Sequence, residues 1–146
     1  MQKCIERPLL YYGRKFDVRM WVLVTPQFEV YYYRKAYMRT SSYDYNPLKL
    51  QQVVQLTNNC FQKKTEQYQK FEDGNTLPLS KLQEFLDQHE TYKDKGVDVE
   101  KSLVGRMKEL IMDSLMCAKV ALTPLFRSIF FGANGKRNSS SSVMTF

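Results

Sequence analysis

Arg14-Lys15-Phe16-Asp17-Val18-Arg19 runs directly into Met20-Trp21-Val22-Leu23-Val24, and alternation along this stretch predicts a strand. Successive side chains of a strand point to opposite faces. Phe16, Val18, Met20, Val22 and Val24 therefore share one face, and Lys15, Asp17, Arg19, Trp21 and Leu23 share the other. Two cations around one acid on so apolar a strand is a costly arrangement. Ionised groups near a core cost several kcal/mol unless they are paired or bound to a partner. Three readings are open: a solvated edge strand, a self-contained ion-pair set with Asp17 bridging Lys15 and Arg19, or a face on which a polyanion sits.

Working outward, Tyr11-Tyr12-Gly13 reads as a turn before the strand, and residues 2–6 as a short strand or hinge closed by Pro8. The long strand spans residues 15–25, rich in β-formers. Thr25-Pro26-Gln27 turns it back onto a hairpin partner over residues 28–34. Ser41 to Thr57 is polar and turn-rich around Asn46-Pro47, which predicts a mobile surface loop, with a helical turn beginning near Asn59. Glu72-Asp73-Gly74-Asn75 is a turn. Ser80 to Gln83 has the spacing of a capping box, and Leu82, Phe85 and Leu86 form the apolar stripe of the helix behind it. A longer helix is expected from Asp98, with Leu103, Met107, Leu110, Ile111, Leu115 and Ala118 packing a core. Antiparallel strands followed by helices make an α+β chain.

Composition narrows the function classes. The 146 residues suit one domain with an apolar core, and no apolar run approaches the roughly 20 residues that span a bilayer. Met1 leads straight into Gln2, Lys3 and Glu6, which does not read as a secretory leader. Three isolated cysteines, Cys4, Cys60 and Cys117, have no metal-ligand spacing and read as small buried hydrophobes. The lone His89 is expected to be solvated at a helix end, so no metal site is assigned. Residues 1–70 hold 12 Lys and Arg against 5 Asp and Glu, and residues 71–146 hold 10 of each. The net charge of +7 therefore belongs to the first half and draws anionic ligands there. No helix-turn-helix, zinc-finger or RNA-binding signature accompanies it, so neither nucleic acid nor membrane is the expected partner.

Several segments, in order and spacing, carry a family likeness: Gln2-Lys3-Cys4-Ile5, Gly13-Arg14-Lys15-Phe16-Asp17-Val18-Arg19, Arg39-Thr40-Ser41-Ser42 and Leu56-Thr57-Asn58. From Gln2 to about Leu122 the chain resembles the tubulin–tyrosine ligase-like family, whose members show a Q-K-Y-I hinge, a G-R-K-F-D-x-R strand, an R-T/F-S-S segment and an L-T-N loop. The resemblance implies part of an ATP-grasp domain over residues 1–124. It also implies an ATP-dependent ligase that adds an amino acid (tyrosine, glutamate or glycine) to carboxylates on tubulin, in the cytoplasm, on the cytoskeleton or at cilia. It further implies roles by position. Gln2, Lys3, Cys4 and Ile5 would receive the adenine of ATP, with Cys4 standing where an aromatic residue is usual. Lys15 and Asp17 would bind nucleotide, and Arg19 would steady phosphate and the acyl-phosphate as the catalytic cation. Arg39 would take the carboxylate of the free amino acid, while Thr57 and Asn58 would close over the nucleotide. The alternative is a non-catalytic basic module that holds the acidic tails of tubulin on microtubules.

The likeness stops near Pro124. Residues 125–146, with a four-serine run, read as a disordered tail outside the family pattern. The family's aspartate and glutamate–x–asparagine motif, which hold the magnesium ions that bridge the ATP phosphates, are absent from these residues. The domain is accordingly expected to be incomplete at both ends. Phosphoryl transfer depends on cations that neutralise charge between the phosphates. Incubating the chain with ATP, magnesium, tubulin and labelled amino acids should therefore leave tubulin unlabelled. Incorporation above a no-enzyme control would contradict this.

Overall fold

The computed structural model describes residues 5–48 and 51–131. Two short strands, β1 (Leu10–Tyr11) and β2 (Arg14–Arg19), form a hairpin. Its two-residue turn places Tyr12 at φ 45° and Gly13 at φ 76°. Two successive left-handed residues give the turn that matches strand twist, and the glycine adopts that geometry without steric cost. Next come β3 (Val22–Val24), β4 (Val30–Tyr32) and β5 (Tyr37–Asp44), then the short helices α1 (Gln52–Gln55) and α2 (Asn59–Gln62). Strand β6 (Thr76–Pro78) leads directly into α3 (Leu79–Gln88). A π-helical turn, Glu100–Val104, opens the long α4 (Gly105–Phe131).

The strands form two antiparallel sheets, one ordered β1-β2-β5-β6 and a separate ribbon of β3 and β4. The single strand expected over residues 15–25 is thus two. It breaks at Met20-Trp21, so that β2 pairs with β5 while β3 pairs with β4 in the expected hairpin. Three residues, Pro26 to Phe28, close that hairpin with Phe28 at φ 67°. Proline opening a tight turn and a left-handed residue ending it is the usual three-residue solution. Trp21 and Leu23 are exposed on the ribbon's outer side. Tyr32 lies under Lys108, and Phe28 under Lys119, both on α4.

One face of the four-stranded sheet makes the core. Met38, fully buried on β5, and the partly buried Phe16, Val18 and Leu77 pack with Leu82, Phe85 and Leu86 of α3 and with Tyr11 and Val99. The expected apolar stripe on α3 is therefore the buried one. Its expected cap is not: Pro78 is the N-cap residue and Ser80 lies inside the helix. Proline, with φ already set and no N–H to satisfy, starts the helix without a side-chain cap. Gln83 instead ties α3 to the next segment, donating to the Val97 carbonyl at 2.9 Å and accepting from the Val99 N–H at 2.8 Å.

Four further expectations are corrected. Residues 41–57 are not one surface loop: β5 continues to Asp44, α1 spans Gln52–Gln55, and Ser41, Ser42, Val54 and Thr57 are buried, while the turn at Pro47-Leu48 is exposed as expected. The predicted core stripe of the long helix is only partly buried: Leu103, in the turn before α4, packs against the core, Met107, Ile111, Leu115 and Ala118 are partly covered, and Leu110 is 52% exposed. Helix α4 also passes through Pro124 to Phe131, so the first residues assigned to a disordered tail are helical. Cys60 and Cys117 are exposed, not buried. His89 is exposed as expected, stacked near Phe85 and Tyr92. Gln2, Lys3, Cys4 and residues 132–146 lie outside the described residues.

The two helices should respond differently to truncation. Leu82→Ala, in the core, is expected to cost roughly 2–5 kcal/mol. Leu110→Ala on α4 should stay within about 0.5 kcal/mol, as exposed positions do. Urea unfolding of both variants measures this; equal losses would contradict the placement of α4.

Candidate functional site

The face of the sheet turned away from α3 carries the charged residues. Asp17 on β2 stands directly opposite Arg39 on β5, which places their side chains side by side on one face. The Arg39 Nε–H donates to Asp17 Oδ1 at 2.9 Å, and Nη2 closes a second bond to Oδ2. This two-pronged pair fixes the guanidinium against the Asp17 carboxylate. The Asp17 hydrogen bond raises the Arg39 pKa further, so the side chain stays a cation at any ordinary pH. Asp17 therefore pairs across strands with Arg39, not along its own strand with Lys15 and Arg19. The self-contained triad is overturned.

That pairing leaves the other two cations to other partners. Lys15 Nζ donates to Gln55 Oε1 at 3.3 Å and sits over the Tyr45 ring at 5.7 Å. Tyr45 in turn donates its hydroxyl to the Glu6 carbonyl at 3.0 Å, which ties the segment after Ile5 to this face. Arg19, half-buried at the end of β2, finds no acceptor among the described residues. Three cations and one carboxylate thus share a face whose summed charge attracts anions.

Behind this face the sheet is held by a polar network that reasoning from sequence missed. Between Arg14 and Phe16 the register jumps: Arg14 faces Asp44, and Phe16 faces Thr40. The extra residues on β5 make a bulge, which breaks the alternation of faces. Thr40, Ser41 and Ser42 are consequently all buried. Ser41 and Ser42 have no partner in the β2 register, and side chains bond the backbone around them. Gln62 Oε1 accepts from the Ser42 N–H at 2.9 Å, and Ser41 Oγ accepts from the Tyr43 N–H at 3.1 Å. Asn75 Nδ2 donates to the Thr40 carbonyl at 3.1 Å and to Ser42 Oγ at 2.8 Å.

Arg14 anchors the same bulge. Its side chain is 5% exposed, and its guanidinium bonds both oxygens of Glu72, one at 2.9 Å, and also donates to the Ser41 carbonyl at 3.2 Å. The Thr40 hydroxyl donates to Glu72 at 3.0 Å, and the Phe71 ring lies 4.3 Å from the guanidinium. Glu72 and Asn75 belong to the turn recognised from Gly74, but a turn pattern does not say that its side chains point inward. The one available signal is the Gly74-Asn75 pair. Both residues take left-handed backbone, at φ 59° and 52°, and Asn is among the few non-glycine residues enriched there.

The Thr57-Asn58 loop follows α1, and the Lys15–Gln55 bond brings that helix onto the charged face. Thr57 is buried, and exposed Asn58 caps α2 by accepting from the Cys60 N–H at 3.0 Å. Next to it, the buried Asn59 Oδ1 has no donor among the described residues. The structure therefore gathers Lys15, Asp17, Arg19 and Arg39 on one surface, with the Thr57-Asn58 loop joined to it. Ile5 is exposed, and Gln2, Lys3 and Cys4 are not described. Cations gathered on one sheet face suit phosphate and carboxylate. Among the described residues no group of three His, Cys, Asp or Glu side chains could hold a metal ion by itself. No helix among them is long and apolar enough to cross a membrane.

Comparison with known proteins bears on this surface. The tubulin monoglycylase TTLL3 of Homo sapiens is 46% identical over 68 residues, covering 45% of this chain and 9% of that protein. Tubulin glycylase 3A of Drosophila melanogaster is 44% identical over 66 residues, covering 44% and 7%. Tubulin glycylase 3D of Tetrahymena thermophila is 33% identical over 118 residues, covering 77% of this chain and 11% of that protein. The chain thus spans about a tenth of the length of the curated relatives it matches. The profile of the tubulin-tyrosine ligase family matches residues 1–128, a range that includes every strand among the described residues, the charged face and the Thr57-Asn58 loop. The chain belongs to the tubulin-tyrosine ligase family.

Proposed function

We propose that this chain is the nucleotide- and amino-acid-binding part of an ATP-grasp ligase that joins an amino acid to carboxylates of tubulin. Glycine is the amino acid favoured, since the relatives named above are glycylases. The observation that carries the reading is Arg19, a half-buried cation with no acceptor among the described residues, on the same strand as Lys15 and Asp17 and beside Arg39. Burial of an unpaired cation is costly, and an anionic ligand removes that cost.

Amide formation needs an activated carboxylate, which phosphorylation by ATP supplies before an amine displaces the phosphate. On this chain Lys15 is a point charge for nucleotide phosphate. Arg19 steadies oxygens that gain charge in the acyl-phosphate, where a fixed cation lowers the barrier. Arg39, held by Asp17, presents its outward N–H groups to the carboxylate of the incoming amino acid. Thr57 and Asn58 cover the nucleotide, and residues 2–5 receive its adenine. The setting is the cytoplasm, on microtubules or cilia, with tubulin's acidic tails as the partner.

Binding of a non-hydrolysable ATP analogue tests the assignment. Neutral substitutions at Lys15, Arg19 and Arg39 each remove a charged hydrogen bond worth roughly 1.5–3 kcal/mol, so each should weaken nucleotide or glycine binding on the order of tenfold or more. Matched changes at Lys93, Lys95 and Lys101 should leave both unchanged, and raising salt should weaken the wild type steeply. Equal losses from both sets would reduce the site to diffuse charge attraction.

A further inference from the structure

Gln62 is fully buried, and its primary amide is used almost to capacity. Its oxygen accepts from the Ser42 N–H at 2.9 Å. Its nitrogen donates to two carbonyls, Val53 at 2.8 Å and Leu56 at 2.6 Å. These three partners lie in three places: the bulge of β5, the body of α1, and the first residue of the Leu56-Thr57-Asn58 loop. Helix α1 has only four residues and no side-chain cap, so its end carbonyls need an outside donor. Only a side-chain amide offers an acceptor and two donors in one plane, and Asn is a methylene shorter.

We propose that Gln62 is a positioning residue that fixes the Thr57-Asn58 loop relative to the strand bearing Arg39, so that nucleotide and amino acid are held in one register. Resting as it does on the reading of that loop as the nucleotide cover, the inference adds the device that sets the loop's distance from β5. Ser42 is three residues from Arg39, and the Leu56 carbonyl joins directly to Thr57. A shift at either end of the amide therefore moves one ligand against the other. None of the amide's recorded partners titrates, so wild-type loop position is independent of pH through this contact.

That independence gives the test a readout that packing alone would not move. Gln62→Glu keeps the shape and the acceptor for Ser42 but sets an oxygen against two carbonyls. Burial and those carbonyls favour the neutral acid and push its pKa upward. Once protonated, its hydroxyl can donate to one of the two carbonyls. Binding of a non-hydrolysable ATP analogue is measured from pH 8 to pH 5, with circular dichroism confirming the fold at each point. Gln62→Glu should bind on the order of tenfold more weakly than wild type at pH 8 and recover as pH falls, while the wild type to variant ratio for Gln62→Ala stays constant. A Gln62→Glu deficit that does not change with pH, or wild-type affinity in both variants, would overturn the proposal. Hydrogen exchange on the wild type covers the case of unfolded variants: the analogue should slow exchange at Ser42 together with Thr57 and Asn58, and slowing at the loop alone would overturn it. Absence of any nucleotide binding by folded wild type would instead sink the functional reading on which this rests.

Discussion

The buried pair of Arg14 and Glu72 is the constraint on which the charged face depends. It joins the first residue of β2 to a turn 58 positions later, and both side chains are at most 10% exposed. Removing one partner would strand a charge in the interior, at a cost of about 3–5 kcal/mol. The pair is satisfied on every side: Thr40 and the Ser41 carbonyl complete its hydrogen bonds, and Phe71 covers the guanidinium. Buried ion pairs are poor sources of net stability compared with apolar packing. Here the gain is geometric, because the pair sits where β5 bulges and secures the only place where the ladder between β2 and β5 is interrupted.

From that anchor the surface chemistry follows. With the bulge held, Arg39 comes opposite Asp17, and the two lock into a fork. Arg19 and Lys15 are then left without a carboxylate among the described residues, which turns one side of the sheet into a cationic platform. The opposite side is apolar and rests on α3. The same strands thus separate the core from the charged face, and at the bulge side chains of Ser41, Gln62 and Asn75 bond backbone groups of Tyr43, Ser42 and Thr40.

Much of this was legible from residue pattern. Alternation in residues 14–24 gave both faces of β2 correctly, and the 3.6-residue spacing found the buried stripe of α3. Pattern failed where a partner elsewhere decides. The break at Met20-Trp21 exists because β2 and β3 pair with different strands, a tertiary choice that local propensity does not carry. Polar residues usually lie outside, so residues 41–57 carry the pattern of a loop; Ser41 and Ser42 are inside because Gln62 and Asn75 satisfy them. Helix α4 shows the reverse failure: its apolar stripe has core periodicity, yet Leu110 on that stripe is exposed. The candidate site residues come from likeness to a family; the buried polar residues beneath them (Arg14, Gln62, Glu72, Asn75) carry no local signal, since nothing local distinguishes an inward polar side chain from an outward one.

A double-mutant cycle on Arg14 and Glu72 tests the central claim most directly. Arg14→Met, Glu72→Leu and the double variant are unfolded in urea, and the two single losses are compared with the combined one. The account predicts that the double variant is less destabilised than the sum of the singles by on the order of 3 kcal/mol, because each single variant strands a buried charge that the double removes. Losses that simply add, within about 0.5 kcal/mol, would mean that the two side chains do not act as a pair, and the anchor beneath the charged face would not exist.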